Sequence, residues 1–176
     1  MNQKQLETLQ KNNEESRDFV KSCFRFALMI ILKDKKDKTL TVTRLCQIAG
    51  VSRTAFYRNY HTIDDVLIDE LKVFGMTLAG LIGTNVYENW LALFKLVDSK
   101  REDLEAVISA GFEHKILDVF MSLLPEKEEN RTIQAIWMSL FLSLSIKWIK
   151  EGKPKKPEDM ARLAYKYTKS IPLVAA

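Results

Sequence analysis

Apolar residues recur at spacings of three and four along most of this chain, the period of an α-helix rather than a strand. Between Ser16 and Lys33 the positions Val20, Cys23, Phe24, Ala27, Leu28, Ile31 and Leu32 keep that rhythm and predict one amphipathic helix. Residues 1–15 are polar throughout and read as an arm or a helical extension. After the loop "KDKKDKT" the chain breaks into shorter segments with their own start and stop signals. Thr41 is placed to cap a helix that Gly50 ends, Ser52 a second that closes near Tyr60, and Thr62 a third. Asp64 and Asp65 fall in the first turn of that third helix, where carboxylates favour the positive end of the helix dipole. It continues through "VLIDELKVFGMTLAGLI" to Gly83.

The remaining signals are also helical. One helix is expected over about 85–97, and another from Ser99, whose spacing to Glu102 is that of a capping box, to Gly111. A third spans 112–124 before Pro125, a long one covers 128–150 up to Gly152, and a last one runs from Pro157 to about Ser170. With no strand pattern and no repeat, the expectation is an all-α chain. Its N-terminal part, 16–61, would be one three-helix domain behind the 1–15 arm. Residues 62–176 would form a second helical domain.

Composition narrows the class only a little. The chain has 176 residues, 47% hydrophobic and 28% charged, which is ordinary for a globular protein, and its 6 Gly and 4 Pro are too few for a strand-and-turn architecture. Cys23 and Cys46 lack the spacing of a metal or disulfide pair, so two buried thiols in a reducing compartment are expected. The polar start "MNQKQLETLQKNNEESRD" does not resemble a signal peptide, and a cytoplasmic protein is expected.

Charge says more through its distribution. Lys33, Lys35, Lys36, Lys38, Arg44, Arg53 and Arg58 face only Asp34 and Asp37 between positions 33 and 61, so that segment carries +5 against +4 for the whole chain. A basic block confined to one segment is the electrostatic footprint of a nucleic-acid surface. The run from Lys33 to Lys38 is equally explained as a solvated loop, but the arginines beyond it are not.

Three short helices with a tight turn between the second and third suggest a helix-turn-helix, and that motif has steric requirements. The residue four before the turn glycine must be small, and Cys46 is. Leu45, Ala49, Val51 and Phe56 stand where apolar residues must join the helices, and Gly50 supplies the left-handed turn. On the second helix Phe56 and Tyr60 point inward, leaving Arg53, Thr54, Tyr57 and Arg58 outward. Arg53 suits a guanine edge, Thr54 a donor or acceptor, and Ala55 a thymine methyl. Ser52, Tyr57, Arg58 and His61, with Thr41, Thr43 and Arg44, suit the phosphate backbone.

"TVTRLCQIAGVSRTAFYRNYHTIDDVL" resembles the DNA-binding signature of the tetracycline-repressor (TetR) family of bacterial transcription regulators. That family's Ile-Ala-x-x-Ala-Gly-Val-Ser falls on Leu45 to Ser52, its Tyr-x-Tyr/His-Phe on Tyr57 to Tyr60, and its Lys-Glu-Glu-Leu on Ile63 to Val66. The likeness covers about residues 16–70. It implies double-stranded DNA as partner, a homodimer on a palindromic operator, and regulation, as a repressor, by a small-molecule effector or a partner protein. Ile63 replaces a lysine that grips a phosphate in the family, leaving that charge to His61 or Arg58, and Ala55 replaces a common threonine.

The C-terminal half gives weaker signals. Within 128–150, Ile133, Ile136, Trp137, Leu140, Phe141, Leu144 and Trp148 form one apolar stripe, and Ala135, Met138, Leu142, Ser145 and Ile149 another. One is expected to face the protein's own core and the other a partner, with Ser139 and Ser143 allowing close approach. The expected dimer interface is Ala135, Met138, Ser139, Leu142, Ser143 and Ile149, with Ala164 and Tyr167 from the last helix. A membrane span is disfavoured because Gln134, three serines and Lys147 interrupt the run. The ending "KWIKEGKPKKPEDMARLAYKY" resembles a type found in one branch of the family that includes regulators linked to dihydroxyacetone kinase genes, which adds weight to dimerisation through the last two helices.

Trp90, Phe94, Phe112, Met121, Trp137 and Phe141, with Arg101 and His114 as polar groups, are the candidates for an effector pocket; without the family resemblance they would simply be core. No metal spacing, phosphate loop or nucleophile–base constellation is present, so neither an enzyme nor a cofactor is expected. The rival reading is a coactivator or adaptor that binds DNA weakly alone and acts through a partner on its C-terminal domain.

Overall fold

The computed structural model describes residues 3–37, 39–124, 128–152 and 155–171, and these are helical with no strand among them. The order is α1 Gln3–Lys33, α2 Val42–Ala49, α3 Arg53–Asn59, α4 Ile63–Ala79, α5 Val86–Ser99, α6 Arg101–Ser109, α7 Glu113–Ser122, α8 Glu128–Lys150 and α9 Pro157–Thr168. The all-α expectation holds. The polar stretch before Ser16 continues α1 as one 31-residue helix from Gln3. The chain divides into two units, 1–70 and 71–176, with the division inside α4.

The first unit is built on the apolar face of α1. Phe24, Ala27, Leu28 and Ile31 are buried, as are Leu45 of α2, Phe56 of α3 and Val66 and Leu67 of α4, and α1 packs on α2 and α3. At its centre Phe24 meets Phe56 edge-to-face at 5.4 Å and Tyr60 at 6.0 Å, an arrangement favoured by the ring quadrupoles.

In the second unit α5 packs along α9, and α8 packs on α6 and α7. Its core is aromatic. Trp90 stacks on Phe94 at 5.8 Å and tilts against Trp137 at 5.9 Å, while the Phe94 ring meets Trp148 at 5.3 Å. Phe120 stacks on Phe141 at 6.3 Å. The indole of Trp90 donates to Thr168 Oγ1 at 2.8 Å, which satisfies a polar group that burial would otherwise strand.

Two local expectations fail. Ser99 does not start a helix: α5 runs through it, its hydroxyl donates back to the Leu96 carbonyl at 2.7 Å, and Lys100 joins α5 to α6 without a side-chain cap. The two apolar stripes of α8 are also not an inner and an outer face. Phe141, Leu142, Ser145, Trp148 and Ile149, drawn from both stripes, form one buried arc, while Ile136 of the first is 44% exposed. Leu142, Ile149 and, on α9, Ala164 are therefore core residues of their own chain and not interface residues as expected.

The segment Arg131–Lys150 of α8 is, by length and composition, apolar enough to cross a membrane, with a mean hydropathy of 1.3. Its exposed residues include Arg131, Thr132, Ser139, Ser143 and Lys147 beside Ile136, a mostly polar set unlike a lipid-facing one.

Candidate nucleic-acid interface

Each end of the α2–α3 pair is fixed by a local signal. The Thr41 hydroxyl accepts the Arg44 N–H at 3.2 Å at the start of α2. Gly50 ends that helix at φ 65°, with its own N–H on the Gln47 carbonyl and the Val51 N–H on the Cys46 carbonyl. That pair of bonds is a Schellman cap, and only glycine enters it without a steric penalty. Ser52 Oγ then accepts the Ala55 N–H at 3.1 Å and starts α3 two residues after the glycine. Cys46 lies buried at the helix crossing, where burial pushes its thiol pKa up and keeps it protonated and unreactive.

The turn orients α3 so that its faces separate cleanly. Phe56 and Tyr60 are buried, and Arg53, Thr54, Tyr57 and Arg58 are exposed, with Tyr57 at 53%. Ala55 is half-buried beside them. Thr41, Thr43, Ser52 and His61 are exposed as well. Asp65 Oδ2 accepts the N–H groups of Thr62 and His61 at 2.8 and 2.9 Å, while Thr62 Oγ1 accepts the Asp65 N–H, a reciprocal capping box. The Thr62 N–H is the main reason the Asp65 carboxyl lies below its ordinary pKa, and the His61 N–H adds to it. Ile63, in the place of the family's lysine, is half-buried.

Arg44 departs from expectation. Its guanidinium bonds Asp34 Oδ2 at 3.0 Å, Asp37 Oδ2 at 2.9 Å, the Asp37 carbonyl at 2.8 Å and the Thr39 carbonyl at 3.2 Å. It braces the loop ahead of α2 and is already committed within the protein.

A cluster that sequence reading did not find holds α3 from behind. Asp69 of α4 accepts Lys21 at 3.0 Å, Arg25 at 2.7 Å and the Tyr60 hydroxyl at 2.7 Å. Arg25 also reaches Glu70 at 3.3 Å, and the Lys21 ammonium lies 5.4 Å from the centre of the Tyr60 ring. Burial alone would raise the Asp69 pKa, but the bonds from Tyr60, Arg25 and Lys21 outweigh it and hold the carboxylate below the usual range. Burial, then the bond to Asp69, pushes the Tyr60 phenol well above its ordinary value. At the end of α3, Asn59 donates to the Ala55 carbonyl and accepts Arg17 at 3.3 Å. The one sequence clue was an inward tyrosine, whose hydroxyl must find a buried partner.

Among the described residues, the expected effector-pocket residues are dispersed. Trp90, Phe94, Trp137 and Phe141 pack on other rings in the core, and Phe112 and Met121 are half-buried. His114 is exposed beside the Gly111 carbonyl, and Arg101 pairs with Glu105 at 2.7 Å. The crevice at Arg101, between Val97 and Trp148, has no room for a water molecule. A wide, open groove of about 550 Å³ instead runs along α8 over Arg131, Ala135, Ile136, Ser139 and Leu140. Of the expected dimer residues, Ser139, Ser143 and Tyr167 are exposed, and Ala135 and Met138 are half-buried.

The chain matches no family model, and no curated protein matches it significantly.

Proposed function

We propose that this chain is a sequence-specific regulator of transcription that binds double-stranded DNA as a homodimer through a helix-turn-helix formed by α2 and α3. The observation that carries the reading is the division of α3. A buried Phe56–Tyr60 side fixes the helix, while Arg53, Thr54, Tyr57 and Arg58 stand exposed on the other. Arg53 and Thr54, in the first turn, are the base-reading residues, and Tyr57, Arg58, Thr41 and Thr43 are the phosphate contacts. The sequence resemblance to the tetracycline-repressor family supports the same assignment and favours a repressor.

The exposed α8 face around Ile136, Ser139 and Ser143 supports dimerisation through the last helices. A two-fold dimer would set its reading heads about 34–36 Å apart and would select a palindrome. An effector would act by preferring one separation of the heads over another. Because the aromatic residues of the second unit are packed on one another, a small molecule would have to displace them or sit in the open α8 groove.

Arg53→Ala is expected to relax base choice at one position of each half-site, at a cost of about 1–3 kcal/mol for the matched sequence. Arg58→Ala should weaken binding to all sequences alike. Unchanged affinity and unchanged preference in Arg53→Ala would remove α3 as the reading helix. The adaptor reading draws on two observations, Ile63 in place of a phosphate-gripping lysine and Arg44 committed within the protein. It predicts weak DNA binding by the chain alone and a protein partner on the second unit.

A further inference from the structure

We infer that residues 34–37, in the loop between α1 and α2, are a built phosphate-binding platform, with Lys35 and Lys36 gripping the nucleic-acid backbone and Arg44 positioning them. The inference rests on the DNA-binding reading above and extends it to a segment that otherwise passes for a solvated charge run. A solvated run has no fixed shape, whereas this loop is tied at several points. Asp34 Oδ1 accepts the backbone N–H groups of Lys36 and Asp37 at 2.8 and 3.2 Å, and Asp37 Oδ1 accepts the Thr39 N–H at 2.9 Å. The other carboxylate oxygens of both aspartates hold the Arg44 guanidinium, which also spans two loop carbonyls.

The consequence is electrostatic. Arg44 offsets one of the two carboxylates nearest in sequence to the lysines, so Asp34, Lys35, Lys36, Asp37 and Arg44 together keep a net charge of +1, with Lys35 and Lys36 both exposed. Arg44 itself sits in the first turn of α2, the helix that crosses the DNA backbone in a helix-turn-helix. The brace therefore fixes a pair of cations to the helix end that approaches phosphate. A guanidinium with four partners and 21% side-chain exposure is a positioning group here and not a phosphate ligand.

The test measures affinity of the full chain for a random-sequence duplex of about 30 base pairs across a salt series, with circular dichroism as the control for folding. Replacing Lys35 and Lys36 together by alanine should flatten the slope of log affinity against log salt by about 0.9 per lysine, an ~60-fold loss at 0.1 M salt. Asp34→Ala separates a braced platform from a mere charge run. It removes a negative charge, so a simple charge run would bind DNA more tightly, whereas a loop that must be held binds severalfold more weakly. A folded Asp34→Ala protein that binds as well as the parent or better overturns the inference, as does an unchanged salt slope in the double lysine variant. If Asp34→Ala does not fold, Asp37→Asn, which removes the other carboxylate that holds Arg44, makes the same distinction. A parent protein that binds no duplex overturns this inference together with the DNA-binding reading. Binding that depends on Arg53 and Arg58 but not on Lys35 and Lys36 overturns this one only.

Discussion

Replacing Asp69 by alanine removes one carboxylate that three helices share. In the folded protein it accepts Tyr60, Arg25 and Lys21 at 2.7, 2.7 and 3.0 Å, with about a fifth of its side chain exposed. Two of the three bonds involve a cation, and charge-assisted bonds contribute about 1.5–3 kcal/mol each. The losses do not add in full. Arg25 keeps Glu70, Lys21 keeps the Tyr60 ring, and the partial exposure lets water reach both cations. A net cost of about 3 kcal/mol follows, at the low end of the 3–5 kcal/mol typical of breaking a fully buried pair. For a chain of 176 residues this lowers the melting temperature by about 6–12 °C, read by circular dichroism. Tyr60→Phe, which leaves both ion pairs in place, should cost about 1.5 kcal/mol, the low end for a bond to a charged acceptor, because Asp69 keeps its two cations.

The same carboxylate gives a pH signature. Its folded pKa is depressed, so its contribution to stability is present in full above the ordinary carboxylate range and fades as pH falls through the folded value. The gap between parent and Asp69→Ala should therefore close in acid. A loss of less than about 2 °C at pH 7, or a gap that does not narrow as pH is taken down below the ordinary carboxylate range, would refute this account of what holds α3.

Three further substitutions test separate parts of the fold. Thr168→Val keeps the shape of a buried residue but leaves the Trp90 indole N–H unpaired, which should cost about 1–3 kcal/mol by chemical denaturation. A Cβ added at Gly50 meets no atom within 4 Å, so the cost of Gly50→Ala is conformational, about 1–2 kcal/mol at φ 65°. Gly75→Ala would bring a methyl within 2.6 Å of Leu123 Cδ1, but that atom ends a flexible side chain that is 40% exposed and can rotate away. Gly75 sits inside α4, where alanine gains about 1 kcal/mol of helix propensity, so this variant should melt at or above the parent.

Helix identity and most helix ends were legible in the sequence because periodicity and caps are local. Thr41, Gly50, Ser52 and Gly152 act where their residue types predicted, and the buried–exposed division of α3 follows from a 3.6-residue period on a strong apolar pair. Ser99 misled because a serine three residues before an acid can equally bond backward to its own helix. The faces of α8 were not legible for a different reason. Periodicity shows that a helix has apolar positions, but which arc is buried depends on where α6 and α7 lie, and that is long-range information. Arg44 shows the same limit: nothing local says that Asp34 and Asp37 fold back to meet it. The Asp69 cluster joins residues more than forty positions apart in sequence, beyond any local pattern.

The central claim is that α3 reads DNA for a two-fold dimer, and selection of bound sites from random duplex DNA at moderate salt tests it most directly. The account predicts enrichment of a palindrome whose half-sites are about one helical turn apart or a multiple of it, and loss of one specified base in each half when Arg53→Ala is selected in parallel. Folded, dimeric protein that enriches no sequence would contradict it.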